Sequence, residues 1–234
     1  MNDLMNKSCE MELDQELAAF RAEYARTRPA ERIALQDAMV EELLTTFPIA
    51  DVPGIGEQAP EFVLPSASGR MVSLSEVLRE GHAVVVFYRG GWCPYCNIQL
   101  RAYQRLLPQL AQFGANLIAI SPQLPDGSLS TTERNALDFA VLSDAGNGVA
   151  RSFGLVYSLP EELRQVLRSV DKALPGINGD DSWELPVPAT FVIAKDGRIV
   201  FSHVDIDYRS RCEPDIVLSA LRSLQPSGTT SSEV

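Results

Sequence analysis

Trp92-Cys93-Pro94-Tyr95-Cys96 places two thiols three residues apart, directly after the apolar run Ala83-Val84-Val85-Val86-Phe87-Tyr88 and the turn Arg89-Gly90-Gly91. A helical pattern follows, so the pair falls at a helix start. There the free amides and the macrodipole stabilise an anion, and the Cys93 thiol is expected to be lowered in pKa and largely thiolate near neutrality. Pro94 suits the first helical position, which has no intrahelical donor to lose. Positions i and i+3 share a helix face, so Cys96 can close a short-loop disulfide with Cys93, and another thiolate can reopen it. The chemistry this pattern supports is thiol redox catalysis.

Two other uses of the cysteines compete with that one. A single CxxC supplies half of a structural zinc site, and His82 and His203 stand alone and far apart, so neither a metal nor a cofactor is implied. Inert core thiols are the second alternative, and the strand–turn–CxxC–helix context argues against it. Arg89, in the turn before Cys93, would lower the thiolate pKa or serve as an ordinary ion pair. Trp92 and Tyr95 flank the thiols and suit either an apolar substrate surface or packing within the domain. Pro188, in Leu185-Pro186-Val187-Pro188-Ala189-Thr190-Phe191, should sit at a strand entrance, and a cis Val187–Pro188 bond is one way to turn the chain toward the cysteines. Cys212, beside Arg209 and Arg211, reads as a distant resolving cysteine or as incidental, the latter favoured because a CxxC partner needs no second site, and Cys9, near the N-terminus, reads as incidental.

The elements that must position these residues follow from periodicity. Leu13 to Phe47 repeats apolar residues at helical spacing, broken near Arg28-Pro29, and Phe47 to Pro60 reads as a linker rich in proline and glycine. Phe62 to Leu64 and Met71 to Leu74 form a hairpin, followed by a short helix capped by Ser73 or Ser75. Ala83 to Tyr88 has the profile of a strand buried on both faces, the best candidate for the centre of a sheet. Leu100, Tyr103, Leu107 and Leu110 then mark one helix face, with a kink expected at Pro108 and a stop at Gly114. Asn116 to Ile120 is a second buried strand, Ser121 to Thr132 a polar loop, and Phe139 to Leu142 another apolar run. Leu159 to Val170 reads as a helix with Pro160 in its first turn, and Pro175 to Trp183 as a surface loop. Thr190 to Ala194 and Arg198 to Val204 are joined by Lys195-Asp196-Gly197 in a hairpin, and Glu213 to Leu224 closes the fold. Strands alternating with helices define an α/β class.

The 234 residues allow one large domain with an extension, and 45% apolar with 22% charged residues is ordinary globular composition. The 20 Lys plus Arg against 31 Asp plus Glu leave a net charge of −11, which disfavours nucleic acid and anionic membrane surfaces as partners. Met1 to Asp14 lacks the apolar run of a signal peptide, and Ala83 to Phe87 falls far short of the roughly 20 residues a membrane span needs. The expectation is a soluble, cytoplasmic protein in a reducing compartment, where a close cysteine pair is catalytic or metal-binding rather than a staple.

From about Gly56 to Leu224 the chain resembles the alkyl hydroperoxide reductase/thiol-specific antioxidant family, the peroxiredoxin-like branch of the thioredoxin superfamily. The residues that carry this are Ala59-Pro60-Glu61-Phe62-Val63-Leu64, Phe87 through Cys96, Val141-Leu142-Ser143-Asp144, and Pro186 to Phe191 with Asp196-Gly197. The resemblance implies a thioredoxin-like fold: a central mixed β-sheet flanked by helices over residues 56–224, behind a helical extension and linker at 1–55 and before a polar tail at 225–234. It also implies Pro188 as a cis proline facing the site. Peroxiredoxins carry Pro-x-x-x-Thr-x-x-Cys and a separate arginine. Aligned through Phe87-Tyr88, Arg89 takes the proline slot, Cys93 the threonine slot and Cys96 the attacking-cysteine slot, while Pro188 takes the arginine slot. Cys-Pro-Tyr-Cys also resembles glutaredoxin sites.

The implied function is an antioxidant peroxidase that reduces hydroperoxides through a Cys93–Cys96 redox-active disulfide recycled by thioredoxin or glutathione, with a homodimer open to it. The alternatives are a protein thiol-disulfide oxidoreductase, with Cys93 attacking, and a redox-sensing interaction protein whose N-terminal helices bind a partner.

Overall fold

Four strongly apolar residues followed by an aromatic, Ala83 to Phe87, have no polar face to offer solvent, and in the computed structural model they lie at the middle of the sheet, fully buried. The structure describes residues 12–225. Two helices come first, α1 (Leu13–Thr27) and α2 (Ala30–Thr46), then β1 (Val63–Pro65), β2 (Met71–Ser73) and α3 (Leu74–Glu80). Next are β3 (His82–Phe87), α4 (Pro94–Gln112), β4 (Ala115–Ser121), α5 (Pro125–Asn135) and β5 (Ala140–Ser143). Short elements follow: α6 (Gly148–Ser152), β6 (Val156–Ser158), α7 (Glu161–Arg168), α8 (Leu174–Asn178) and β7 (Glu184–Pro186). The chain closes with β8 (Ala189–Ile193), β9 (Ile199–Val204) and α9 (Pro214–Arg222).

The main sheet runs β5-β4-β3-β8-β9. β3 pairs parallel with β4 and antiparallel with β8, so the sheet is mixed, with Phe87 opposite Ile120 on one side and Ala189 on the other. Successive strand residues point to opposite faces. Val84, Val86 and Tyr88 therefore join one core with α4 and α9, while Ala83, Val85 and Phe87 join a second core around Phe62, Phe153 and Phe191.

The helical break near Pro29 divides α1 from α2 as its sequence requires, and Leu13, Leu17, Met39, Val40 and Phe47 are buried in the same core as α4. Beyond them the linker lies along the outer edge of the sheet, with the Gly56 and Ala59 amides donating to Ile199 and Gly197 carbonyls at 2.8 and 2.9 Å. This supplies partners to the edge of β9. Ser73 caps α3 in a reciprocal capping box with Glu76.

Two loop expectations are corrected. Ser121 to Thr132 is not a continuous loop, because Pro125 at the helix start and Asp126 in the first turn open α5. Its buried face consists of Ser128, Thr131 and Asn135, which bond Ser143, the Gly127 carbonyl and Asn97. A polar inward face leaves no apolar stripe to read. Likewise Pro175 to Trp183 overlaps α8, and Trp183 is buried beneath the Arg168 guanidinium, 4.6 Å from its ring centroid. Pro108 lies within α4, which continues to Gln112.

Candidate active site around Cys93 and Cys96

The turn out of β3 has little room for side chains. Gly90 has φ +138°, and a Cβ there would meet the Trp92 indole at 2.5 Å. A Cβ on Gly91 would fall 2.1 Å from Thr131 Oγ1. The Gly91 amide donates to Gln123 Oε1 at 2.5 Å, and its carbonyl accepts from Asn97 Nδ2 at 2.8 Å and Arg134 at 3.3 Å. Cys93 then occupies the N-cap of α4 with Pro94 in the first turn, as expected. Lys172 Nζ donates to the Trp92 carbonyl at 3.0 Å, tying the segment after α7 to the same turn.

Both thiols are buried and free, Cys96 completely and Cys93 at 2% exposure. Their charge distribution differs from the expectation for Cys93. Burial alone would raise the Cys96 thiol, but the hydrogen bond from Cys93, the Arg211 and Arg89 guanidiniums and the Arg89 amide outweigh it and bring it down to about 5. Cys93 is pushed up, first by its hydrogen bond to Cys96 and then by burial. The hydrogen bond between the two thiols is the larger cause, and Arg211 adds to it: its Nη2 lies 3.3 Å from Cys96 Sγ, and its Nη1 is held by the Tyr208 and Ser210 carbonyls. A guanidinium in direct contact is stronger than a screened helix terminus. Arg211 was missed by the sequence reading because it is 115 residues from Cys96, in a segment without periodicity.

Arg89 is buried at 5% exposure, between the rings of Trp92 (5.1 Å) and Tyr208 (4.0 Å). Among the described residues no ion pair to Arg89 is found, and its Nε has no hydrogen-bond partner. Burial between two rings does not fit the ordinary ion-pair reading of Arg89. Tyr95 is buried edge-on to Phe20 (4.9 Å) and Tyr208 (5.7 Å), while Trp92 is half-buried. Both line, with Cys93, Arg89 and Pro94, a cavity of about 470 Å³ closed by α1, α2 and α7. That volume lies within the range of small-molecule sites.

Pro188 enters β8 next to Tyr88 by continuation of the β3–β8 register, and it is buried. The cis bond is corrected: no peptide bond is cis among the described residues. β7 pairs with β6 and runs directly toward β8, with the Val187 amide on the Leu155 carbonyl at 2.7 Å, so the chain arrives extended and needs no reversal. Cys212 is buried with a free thiol. Burial pushes its thiol up to about 12, and its carbonyl accepts from Tyr103 Oη at 2.8 Å. Cys9 lies outside the described residues. Among those residues, no group of three His, Cys, Asp or Glu side chains could hold a metal ion.

A dithiol at the start of the helix after the central strand of a five-stranded mixed sheet defines a thioredoxin-fold thiol oxidoreductase. Over residues 55–202 the sequence matches the AhpC/TSA family, and the chain belongs to that family. It is an oxidoreductase of the peroxiredoxin kind. The peroxiredoxin Bcp of Escherichia coli K12 is 28% identical over 168 residues, covering 71% of this chain and 94% of that protein. The thiol-disulfide oxidoreductase ResA of Bacillus thuringiensis subsp. konkukian is 22% identical over 147 residues, covering 62% and 67%. Among solved structures, peroxidoxin BcpB of Mycobacterium tuberculosis superposes with a TM-score of 0.58 at 23% identity, over 74% of this chain and 98% of that one. No helix among the described residues is long and apolar enough to cross a membrane.

Proposed function

We propose that this hydroperoxidase uses Cys96 as the attacking thiolate, Cys93 as the resolving thiol, and Arg211 and Arg89 as fixed cations. The observation that carries this is the Arg211 guanidinium 3.3 Å from Cys96 Sγ. The Cys96 thiolate attacks one oxygen of a hydroperoxide; an S–O bond forms, the O–O bond breaks, and the alkoxide leaves with the electron pair. The Cys93 thiol, which contacts both Cys96 and the cavity, gives its proton to the alkoxide, releasing an alcohol, or water when the oxidant is hydrogen peroxide. The Cys93 thiolate so formed attacks the Cys96 sulfenic sulfur, closes the disulfide and expels hydroxide, which is protonated to water. Arg89, with an unpartnered Nε, stabilises the negative charge that develops on oxygen. An external thiol donor of the thioredoxin or glutathione kind returns the disulfide to two thiols, which suits a reducing cytoplasm.

One observation favours a second reading. Cys93, not Cys96, lines the cavity, so an entering disulfide meets Cys93 first, as protein thiol–disulfide exchange requires.

The test supplies thioredoxin, its reductase and NADPH to wild type, Cys93→Ser and Cys96→Ser, with hydrogen peroxide or a protein disulfide as oxidant. Peroxide turnover is expected in wild type only, with a trappable sulfenate at Cys96 in Cys93→Ser. A sulfenate on Cys93 in Cys96→Ser, or disulfide reduction without peroxide turnover, would overturn the assignment.

A further inference from the structure

The Arg211 guanidinium touches Cys96, yet its other hydrogen bonds stay within its own segment, residues 205–213 between β9 and α9. Its Nη1 donates to the Tyr208 and Ser210 carbonyls, and its Nε has no hydrogen-bond partner among the described residues. The guanidinium is therefore fixed relative to the segment. Its 3.3 Å approach to Cys96 is set by where the segment lies against α4.

Two sets of contacts place the segment. On one side Tyr103, about two turns after Cys96 on the same helix, donates from its Oη to the Cys212 carbonyl at 2.8 Å, with both residues buried. On the other side the helical extension fastens it. Asp37 of α2 accepts from Arg209 Nη1, the Glu213 carboxylate accepts from the Asp14 amide of α1 at 2.5 Å, and Asp207 lies 3.9 Å from Arg21 of α1. The Arg21 pair is long and exposed, so it adds little. Arg209 is different: its side chain is only 8% exposed, and its Nε and Nη2 already grip Asp207 at 2.7 and 3.0 Å. It thus joins a carboxylate of its own segment to one on α2 through charge-assisted bonds, two residues before Arg211.

From this we infer that the helical extension positions Arg211 on the Cys96 sulfur, with Asp37 as the positioning residue that acts through Arg209, so that the reactivity of Cys96 depends on α2 being docked. The inference rests on the reading above in one respect, that Cys96 is the reactive thiolate; it does not depend on the oxidant.

The sign of the effect separates positioning from simple electrostatics. A carboxylate acting through space disfavours a thiolate, so removing Asp37 would by itself lower the Cys96 midpoint. Loosening Arg211 raises it. The groups that act most strongly on the Cys96 sulfur are Cys93, Arg211 and Arg89, with the Tyr88 and Tyr157 phenols facing it, and none of the five belongs to α1 or α2. Arg211 accounts for at most about half of the shift of Cys96 from 9.0 to about 5, or about two pH units. Attraction falls inversely with distance, so a guanidinium retreating to about twice its separation keeps about one of those two.

The test is iodoacetamide labelling of the full-length reduced protein across pH, with the labelled sulfur mapped by mass spectrometry. It compares wild type, Asp37→Ala, Asp37→Glu, Arg211→Gln and the Asp37→Ala/Arg211→Gln double variant. Asp37 is 44% exposed on a helix, where alanine is well tolerated, and far-ultraviolet circular dichroism checks that the helices remain. In Asp37→Ala the Cys96 midpoint is expected to rise by about one pH unit, slowing labelling at about pH 5 by about fivefold. Asp37→Glu should restore the wild-type profile, and Asp37→Ala should add nothing once Arg211 is already Gln. A lowered or unchanged midpoint in Asp37→Ala, or the same rise in both backgrounds, would overturn the inference while leaving the Cys96 assignment standing. Low-pH labelling of wild type at Cys93, or none at either sulfur, would instead sink the thiolate assignment and the inference with it.

Discussion

Replacing Arg211 with Gln removes the cation 3.3 Å from the Cys96 sulfur while keeping a polar side chain for the Tyr208 and Ser210 carbonyls. Unit charges at that separation attract by about 5 kcal/mol at an effective dielectric of about 20, before desolvation is subtracted. The site lowers Cys96 from 9.0 to about 5. That shift corresponds to about 5 kcal/mol. The hydrogen bond from Cys93 is the largest contributor and Arg89 shares in the rest, so at most about half belongs to Arg211, or about two pH units. The variant's thiolate should then titrate at about pH 7. At about pH 6 the reactive fraction falls from roughly nine-tenths to about one-tenth, an about tenfold slower alkylation that recovers by about pH 9. Iodoacetamide labelling across pH, with the labelled sulfur mapped by mass spectrometry, measures this directly. Arg211→Lys keeps a charge and should fall between the two, which distinguishes electrostatics from loss of the segment's structure. A midpoint unchanged in Arg211→Gln, or low-pH labelling on Cys93, would refute the reasoning.

Two further outcomes test the scaffold. Gly91→Ala places a Cβ 2.1 Å from the buried Thr131 hydroxyl, itself bonded to the Gly127 carbonyl, so the turn must shift. About 1–3 kcal/mol of stability should be lost, read as a lower thermal midpoint, and peroxide turnover should fall with it. The His203 imidazole is raised above 6.5, first by its hydrogen bond to Asp205 at 2.8 Å. Because the folded value is the higher one, this contribution to stability is complete below 6.5 and disappears as pH rises through the folded value. The loss of thermal midpoint over that window should shrink in His203→Gln; an identical pH profile would show that the pair does not stabilise the fold.

The legible parts of the sequence were those whose local pattern and tertiary environment agree. Ala83 to Phe87 is apolar without alternation and becomes the doubly covered centre of the sheet. Asp196-Gly197 yields the β8–β9 hairpin because Gly197 takes φ +86°. α5 was hidden because its inward residues are polar and satisfied by specific partners rather than by apolar contact. The trans bond before Pro188 depended on the path of β7, a pairing with β6 that no local signal announces.

Residue order alone determined that a dithiol stands at the N-terminus of a helix after a buried strand, since strand, turn and helix signals are local and contiguous. Tertiary structure decided how the charge is divided between the two sulfurs, because the guanidinium on Cys96 arrives from 115 residues away. It also decided what the N-terminal helices do: their amphipathic pattern requires only that one face be covered. Packing against α4 and α7 makes that covering the wall of a cavity above Cys93. Electrostatic attraction and enclosure depend on distance in space, which sequence separation does not encode.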